Sequence, residues 1–125
     1  MINVAILAVN NCMESCVSGV RDILTVASEQ WKNMQKGSSK ELFSIKIITF
    51  EDQPVVTFTG AEIWPTYERD ECEEIDILFI PVIYGDLTLL LSQNNLIDWL
   101  TSLNREGTVI CAVCAGAFLS AQSGI

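Results

Sequence analysis

Three nearly unbroken apolar runs, at residues 3–9, 76–81 and 108–113, alternate with stretches of helical periodicity and narrow the folds open to this chain. A strand that is apolar on both faces must be covered on both sides, as a parallel strand inside an α/β sheet is. The first run carries Val4, Ala5, Ile6, Leu7, Ala8 and Val9 and gives way to a loop at Asn10 and Asn11. Over residues 13–34, Val17, Val20, Ile23, Leu24, Ala27 and Trp31 recur at helical spacing, which predicts an amphipathic helix closed by the turn signal Lys36-Gly37-Ser38-Ser39. Residues 42–50 alternate as a second strand, and 55–58 could add a short edge strand after Pro54. Residues 60–74 look irregular, with Ile63, Trp64 and Tyr67 as expected core contacts. The second run ends at Pro81. Beyond Gly85, Leu87, Leu89, Leu90, Leu91, Leu96, Ile97, Trp99, Leu100 and Leu103 describe a helical pair, or one helix broken near Asn94 and Asn95. Glu106-Gly107 leads into the third run. This β-α-β-(β)-β-α-β-α order predicts one α/β domain with a parallel sheet and helices on both faces.

Composition excludes several classes of function. A chain of 125 residues, half of them hydrophobic, can bury a real core, and disorder does not suit it. No apolar stretch reaches membrane-span length, and the polar Asn3, Asn10 and Asn11 interrupt the start where a signal peptide would need an unbroken core. The expected location is the cytoplasm, with no membrane partner. Five cysteines, an odd number, fit reduced thiols there. The net charge of −9, from 16 acidic and 7 basic residues, repels phosphate backbones, so direct contact with DNA is not expected of this piece. There is no histidine, so a Cys-His pair cannot be assembled within the chain.

Candidate chemistry centres on the third run. After residues 108–113 come Cys114, then Ala115, Gly116 and Ala117, small enough for a helix to start hard against the strand, with a stop signal at Gly124. A thiol on such a strand-to-helix turn is held out of the sheet and faces the positive end of the new helix, which favours thiolate. The pattern is the cysteine counterpart of the G-x-S-x-G nucleophile elbow, with Ala112 in place of the first glycine. Small residues around a buried cysteine also occur at many such turns without function. Ligands of parallel sheets collect at the strands' carboxyl ends, where 9–16, 81–86 and 114–116 lie. A phosphate-cradling glycine loop is missing after the first strand, so no cofactor is expected.

Three motifs in order now carry a resemblance: Val4-Ala-Ile-Leu-Ala-Val, Asp76-Ile-Leu-Phe-Ile-Pro-Val-Ile-Tyr-Gly-Asp86 and Ala112-Val-Cys-Ala-Gly-Ala-Phe-Leu119. Together they resemble the ThiJ/PfpI group of the class I glutamine amidotransferase-like superfamily. The similarity runs over essentially the whole chain. Within that group, Met13-Glu-Ser-Cys-Val-Ser-Gly19 with Asp22, and residues 81–100, resemble the amino-terminal sensor domains of AraC-type transcriptional regulators. The resemblance implies a three-layer flavodoxin-like sandwich that is C-terminally truncated relative to the family, since family domains continue past the elbow helix. An incomplete sheet edge would invite pairing, so a homodimer is expected.

The resemblance also implies roles. Cys114 would be a nucleophile or redox thiol, and the Ala115 amide with backbone of the Tyr84-Gly85 loop would form an oxyanion-hole-like pocket beside Gly116. Many enzymatic members present an acid from the first helix; in that register Cys16 stands at the acid's position, and Glu14 could substitute only from a loop. The family's glycine pair after the strand proline is replaced by Val82-Ile83. These departures favour a ligand- or redox-sensing domain of an AraC-type regulator, binding a small molecule and reaching DNA only through a helix-turn-helix part beyond residue 125. The alternative is a cysteine hydrolase, amidase or glyoxalase-like enzyme using Cys114. If the first helix meets the elbow as in the family, Cys16 and Cys114 would approach each other and cross-link under mild peroxide. A zinc site from Cys12, Cys16, Cys111 and Cys114 is disfavoured, because Cys111 and Cys114 begin on opposite faces of a strand. The acidic run Glu68, Asp70, Glu71, Glu73 and Glu74 lacks calcium-loop spacing and reads as a solvated face, with Cys72 a bystander.

Overall fold

The computed structural model of the chain describes residues 1–37, 39–72 and 74–125; Ser38 of the expected turn and Glu73 of the acidic run lie outside the described residues. Four parallel strands form the main sheet: β1 (Ile2–Leu7), β2 (Phe43–Ile48), β5 (Ile77–Ile80) and β6 (Val109–Ala112), in the order β2-β1-β5-β6. The apolar runs become these strands because Val4 to Val9, Leu78 and Ile80 can be buried from both sides. The chain moves from β1 outward to β2 through α1 (Glu14–Met34) and from β5 the other way to β6 through α2 (Thr88–Leu91) and α3 (Asn94–Arg105). Right-handed crossovers running in opposite directions put their helices on opposite faces, giving three layers. After β6, a 3-10 turn (Cys114–Gly116) feeds α4 (Ala117–Gln122), which packs on α2 and α3.

Two buried hydroxyls, those of Ser28 and Thr108, tie the layers together, whereas the buried Ser120 hydroxyl has no hydrogen-bond partner among the described residues. Ser28, buried on α1, accepts hydrogen bonds at its hydroxyl from the Leu42 and Phe43 amides, fixing the start of β2. The Thr108 hydroxyl donates to the Ile75 carbonyl at 2.7 Å, which aligns the starts of β5 and β6. Leu96, Leu100 and Leu103 of α3 fill the core between helix and sheet.

Several local expectations need correction. Within residues 60–74, β4 (Glu62–Ile63) pairs antiparallel with β3 (Val55–Val56) as a separate small hairpin. Ile63 packs on the core, but Trp64 is 65% exposed and Tyr67 is exposed with the Lys46 ammonium over its ring. The hairpin buries only the Val55–Ile63 face, and the rings of Trp64 and Tyr67, which follow β4, stay outside it. On α1, Val17 and Ser28 are buried while Ile23 is 70% exposed, so the apolar stripe is wider than the surface the sheet covers.

Candidate functional site

The turn after β6 is built by two constraints that meet at one glycine. The Val113 amide donates to the Ile80 carbonyl at 3.0 Å, which extends the β5–β6 pairing to the end of the strand, and the Gly116 amide donates back to the Val113 carbonyl at 2.9 Å. That tight closure forces Cys114 into the left-handed region, φ 48°. A non-glycine residue there costs on the order of 1 kcal/mol. Gly116 is buried directly on β5: a Cβ at this position would lie 2.5 Å from the Pro81 carbonyl oxygen and 3.0 Å from that of Ile80. Only glycine lets the turn sit this close. Cys114 is exposed, Ala115 half-buried, and among the described residues no side chain hydrogen-bonds to the Cys114 thiol.

The loops after β1 and β5 are joined beside this turn. Cys12 forms an antiparallel bridge with Ile83, the Met13 amide donates to the Val82 carbonyl at 2.8 Å, and the Tyr84 amide donates to the Asn11 carbonyl at 3.0 Å. Asn11 adopts φ 64° to make this connection. Glu14 is exposed on the first residue of α1, in helix rather than loop. The Cys16 thiol meets the Met13 sulfur at 3.5 Å, and no hydrogen bond links Cys16 or Glu14 to Cys114. Gly85 takes φ 80° at the exposed tip of the β5–α2 loop. Next to it, Asp86 accepts hydrogen bonds from the Thr88 amide and hydroxyl, which hold its carboxyl below the ordinary aspartate range. Burial pushes the Cys12 and Cys72 thiols up. Among the described residues no group of three or more His, Cys, Asp or Glu side chains is placed to hold a metal ion, and no helix is long and apolar enough to cross a membrane.

A cleft of about 360 Å³ opens at the carboxyl ends of β1, β2 and β5. Asn10, Asn11, Ile83, Tyr84 and Asp86 line it, as the position of their loops in the sequence suggests, but the elbow residues do not. Its third wall, Phe50, Glu51, Gln53 and Val55, follows β2, and Leu89 and Leu90 of α2 close it together with Gln93 from the break before α3. Sequence reasoning passed over this wall, although residues after the second strand also sit at a carboxyl end. Arg69 pins the wall from behind: its guanidinium lies over the Phe50 and Trp99 rings, its Nε donates to the Phe50 carbonyl, and its amide donates to Asp52, itself at φ 59°.

No protein-family profile matches the sequence, and no curated protein matches it. Solved structures do. A protein assigned as a transcriptional regulator from Vibrio parahaemolyticus superposes with a TM-score of 0.78 at 25% identity, covering 99% of this chain and 62% of that one. Drosophila melanogaster DJ-1beta gives 0.76 at 16% identity, covering 99% of this chain and 61% of its own. An AraC family transcriptional regulator from Pseudomonas putida gives 0.75 at 16%, covering 99% and 71%. A ThiJ/PfpI family protein from Pseudomonas syringae gives 0.68 at 17%, covering 98% and 46%. The chain thus spans about three-fifths of the length of the first two structures. From the parallel four-stranded sheet to the cysteine turn, it has the fold of the DJ-1, ThiJ/PfpI superfamily.

Proposed function

We propose that this chain is the ligand- or redox-sensing domain of an AraC-type transcriptional regulator, a ThiJ/PfpI-like unit continued by a DNA-binding helix-turn-helix part beyond residue 125. The observation that carries the reading is a presented thiol without partners for catalysis. Cys114 stands on a strained turn, yet the chain has no histidine, Cys16 occupies the place where the resemblance puts an acid, and Glu14 makes no bond to the thiol. Within these 125 residues the thiol has no side chain beside it that serves as the general base acyl transfer needs. Two regulators among the similar structures support the same reading, as does an acidic surface that leaves DNA contact to a separate basic module. The domain would work in the cytoplasm as part of a homodimer. Its test is the intact mass of the native protein, captured from its source cells with an antibody raised to these 125 residues. A product roughly two or three times heavier that retains duplex DNA is expected; a product of 125 residues overturns the regulator.

A cysteine hydrolase, amidase or glyoxalase-like activity is the second reading, favoured by the exposure of Cys114 on its left-handed turn. Turnover of an amide, ester or 2-oxoaldehyde that disappears in Cys114→Ser would establish it over the first.

A further inference from the structure

The cleft at the carboxyl ends of β1, β2 and β5 is separate from the cysteine turn and has its own chemistry. Its floor is hydrocarbon: Val9, Ile83 and Leu96 are buried, and Phe50, Leu87 and Leu90 half-buried. Among the described residues, two carboxylates, Glu51 and Asp86, stand on its lining, and no lysine or arginine does. The basic side chain that touches the wall, Arg69, is engaged behind it, between two rings and beside Asp70 at 3.4 Å. Its guanidinium is not part of the cleft lining. We propose that this cleft binds a small organic amine in its protonated form, hydrocarbon on the floor and ammonium toward Glu51 and Asp86.

Charge and preorganisation argue for that class. A carboxylate or phosphate ligand would enter a site with two like charges on a chain of net charge −9, with no fixed cation to receive it. An ammonium meets the opposite situation, and its nitrogen can also donate to the side-chain carbonyls of Asn11, Gln53 or Gln93 on the lining. Hydrogen bonds from Thr88 hold the Asp86 carboxyl below the ordinary aspartate range. The walls are already tied in place: the Asn10 side-chain oxygen accepts from the Val56 amide at 3.0 Å, and the Thr49 hydroxyl donates to the Gln53 carbonyl at 2.7 Å. Little ordering cost then remains for binding. Because Asn10 and Asn11 also lead into α1, an occupied cleft bears on the helix that carries Cys16. The inference rests on the ligand-sensing reading and deepens it.

The test titrates the isotope-labelled 125-residue chain with three probes of five carbons each, n-pentylamine, n-pentanol and pentanoate, and follows backbone amide shifts at neutral pH. Saturable shifts at Asn11, Gln53, Tyr84 and Leu90 are expected with the amine, at a dissociation constant on the order of millimolar for so small a probe. Pentanol should bind more weakly and pentanoate not at all. Glu51→Gln with Asp86→Asn keeps the cap on Thr88 and should weaken the amine about fivefold while leaving pentanol unchanged, the scale of exposed charge pairs. Equal binding of pentanoate, amine shifts spread unsaturably over the acidic surface, or no cleft response to any probe would each overturn the amine site. A cleft that prefers pentanoate leaves a ligand-sensing domain standing with another ligand class. A native product of only 125 residues removes the regulator without touching the cleft's preference.

Discussion

At the scale of single residues, the turn after β6 depends on Gly116 more than on Cys114. A methyl group placed 2.5 Å from the Pro81 carbonyl oxygen has no flexible neighbour to push aside, because the obstacle is the backbone of a central strand. Gly116→Ala should therefore cost about 1–3 kcal/mol in urea unfolding, and an unchanged midpoint would refute the close approach. The small residues after Cys114 made the turn legible in the sequence; what Gly116 touches was not, since that contact needs β6 to lie beside β5. The thiols differ for the same kind of local reason. Cys12 is fully buried and Cys114 exposed, so timed alkylation read by mass spectrometry should modify Cys114 first and Cys12 last. Burial raises the Cys12 and Cys72 thiols, so the folded chain retains protons that the unfolded chain releases. Their contribution to stability is complete below the ordinary thiol value near ~8.5 and declines as the pH rises through it. Cys12→Ala should flatten that alkaline decline above about pH 8.5, and an equally steep decline would exclude Cys12 as its source.

Among the elements, α2 and α3 show what periodicity reveals and what it misses. The leucine spacing predicts a helical pair, or one helix broken near Asn94 and Asn95; the structure has the pair, with α3 beginning at Asn94 after a two-residue break. Spacing alone did not say which leucines would face inward. Leu100 is fully buried and Leu89 is 81% exposed on the rim of the cleft. Leu100→Ala should cost about 2–5 kcal/mol through the cavity it leaves, whereas Leu89→Ala should stay within about 0.5 kcal/mol. Equal losses in thermal or urea unfolding would contradict this division. The short strand expected over residues 55–58 is present as β3, but its partner β4 was illegible because a two-residue strand has no period to detect, and the exposed Trp64 just after it looked like core for the same reason. The apolar stripe of α1 was legible as a stripe, but the part left over by the sheet was not.

For the molecule as a whole, three apolar runs announced a parallel α/β sheet, yet the cleft could not be read from them. It exists because β2 lies next to β1, on the side away from β6, so that the loop after β2 meets those after β1 and β5. The same strand order leaves β6 as an edge, with Val109 58% exposed on it and Phe118 61% exposed on the helix that follows. An apolar edge strand with unpaired backbone groups is a template for another strand. A second apolar surface, on α1, includes Ile23, Val26 and Met34, so coverage is incomplete on two sides. Strand pairing adds directed backbone hydrogen bonds to apolar contact, which the α1 face cannot do, and the edge should therefore dominate self-association. In sedimentation velocity the 125-residue chain should associate at micromolar concentration, Val109→Lys should return it to monomer, and Ile23→Lys should change it little. A chain that stays monomeric, or one dispersed by Ile23→Lys and not by Val109→Lys, would show that β6 is not the surface on which this molecule meets another copy.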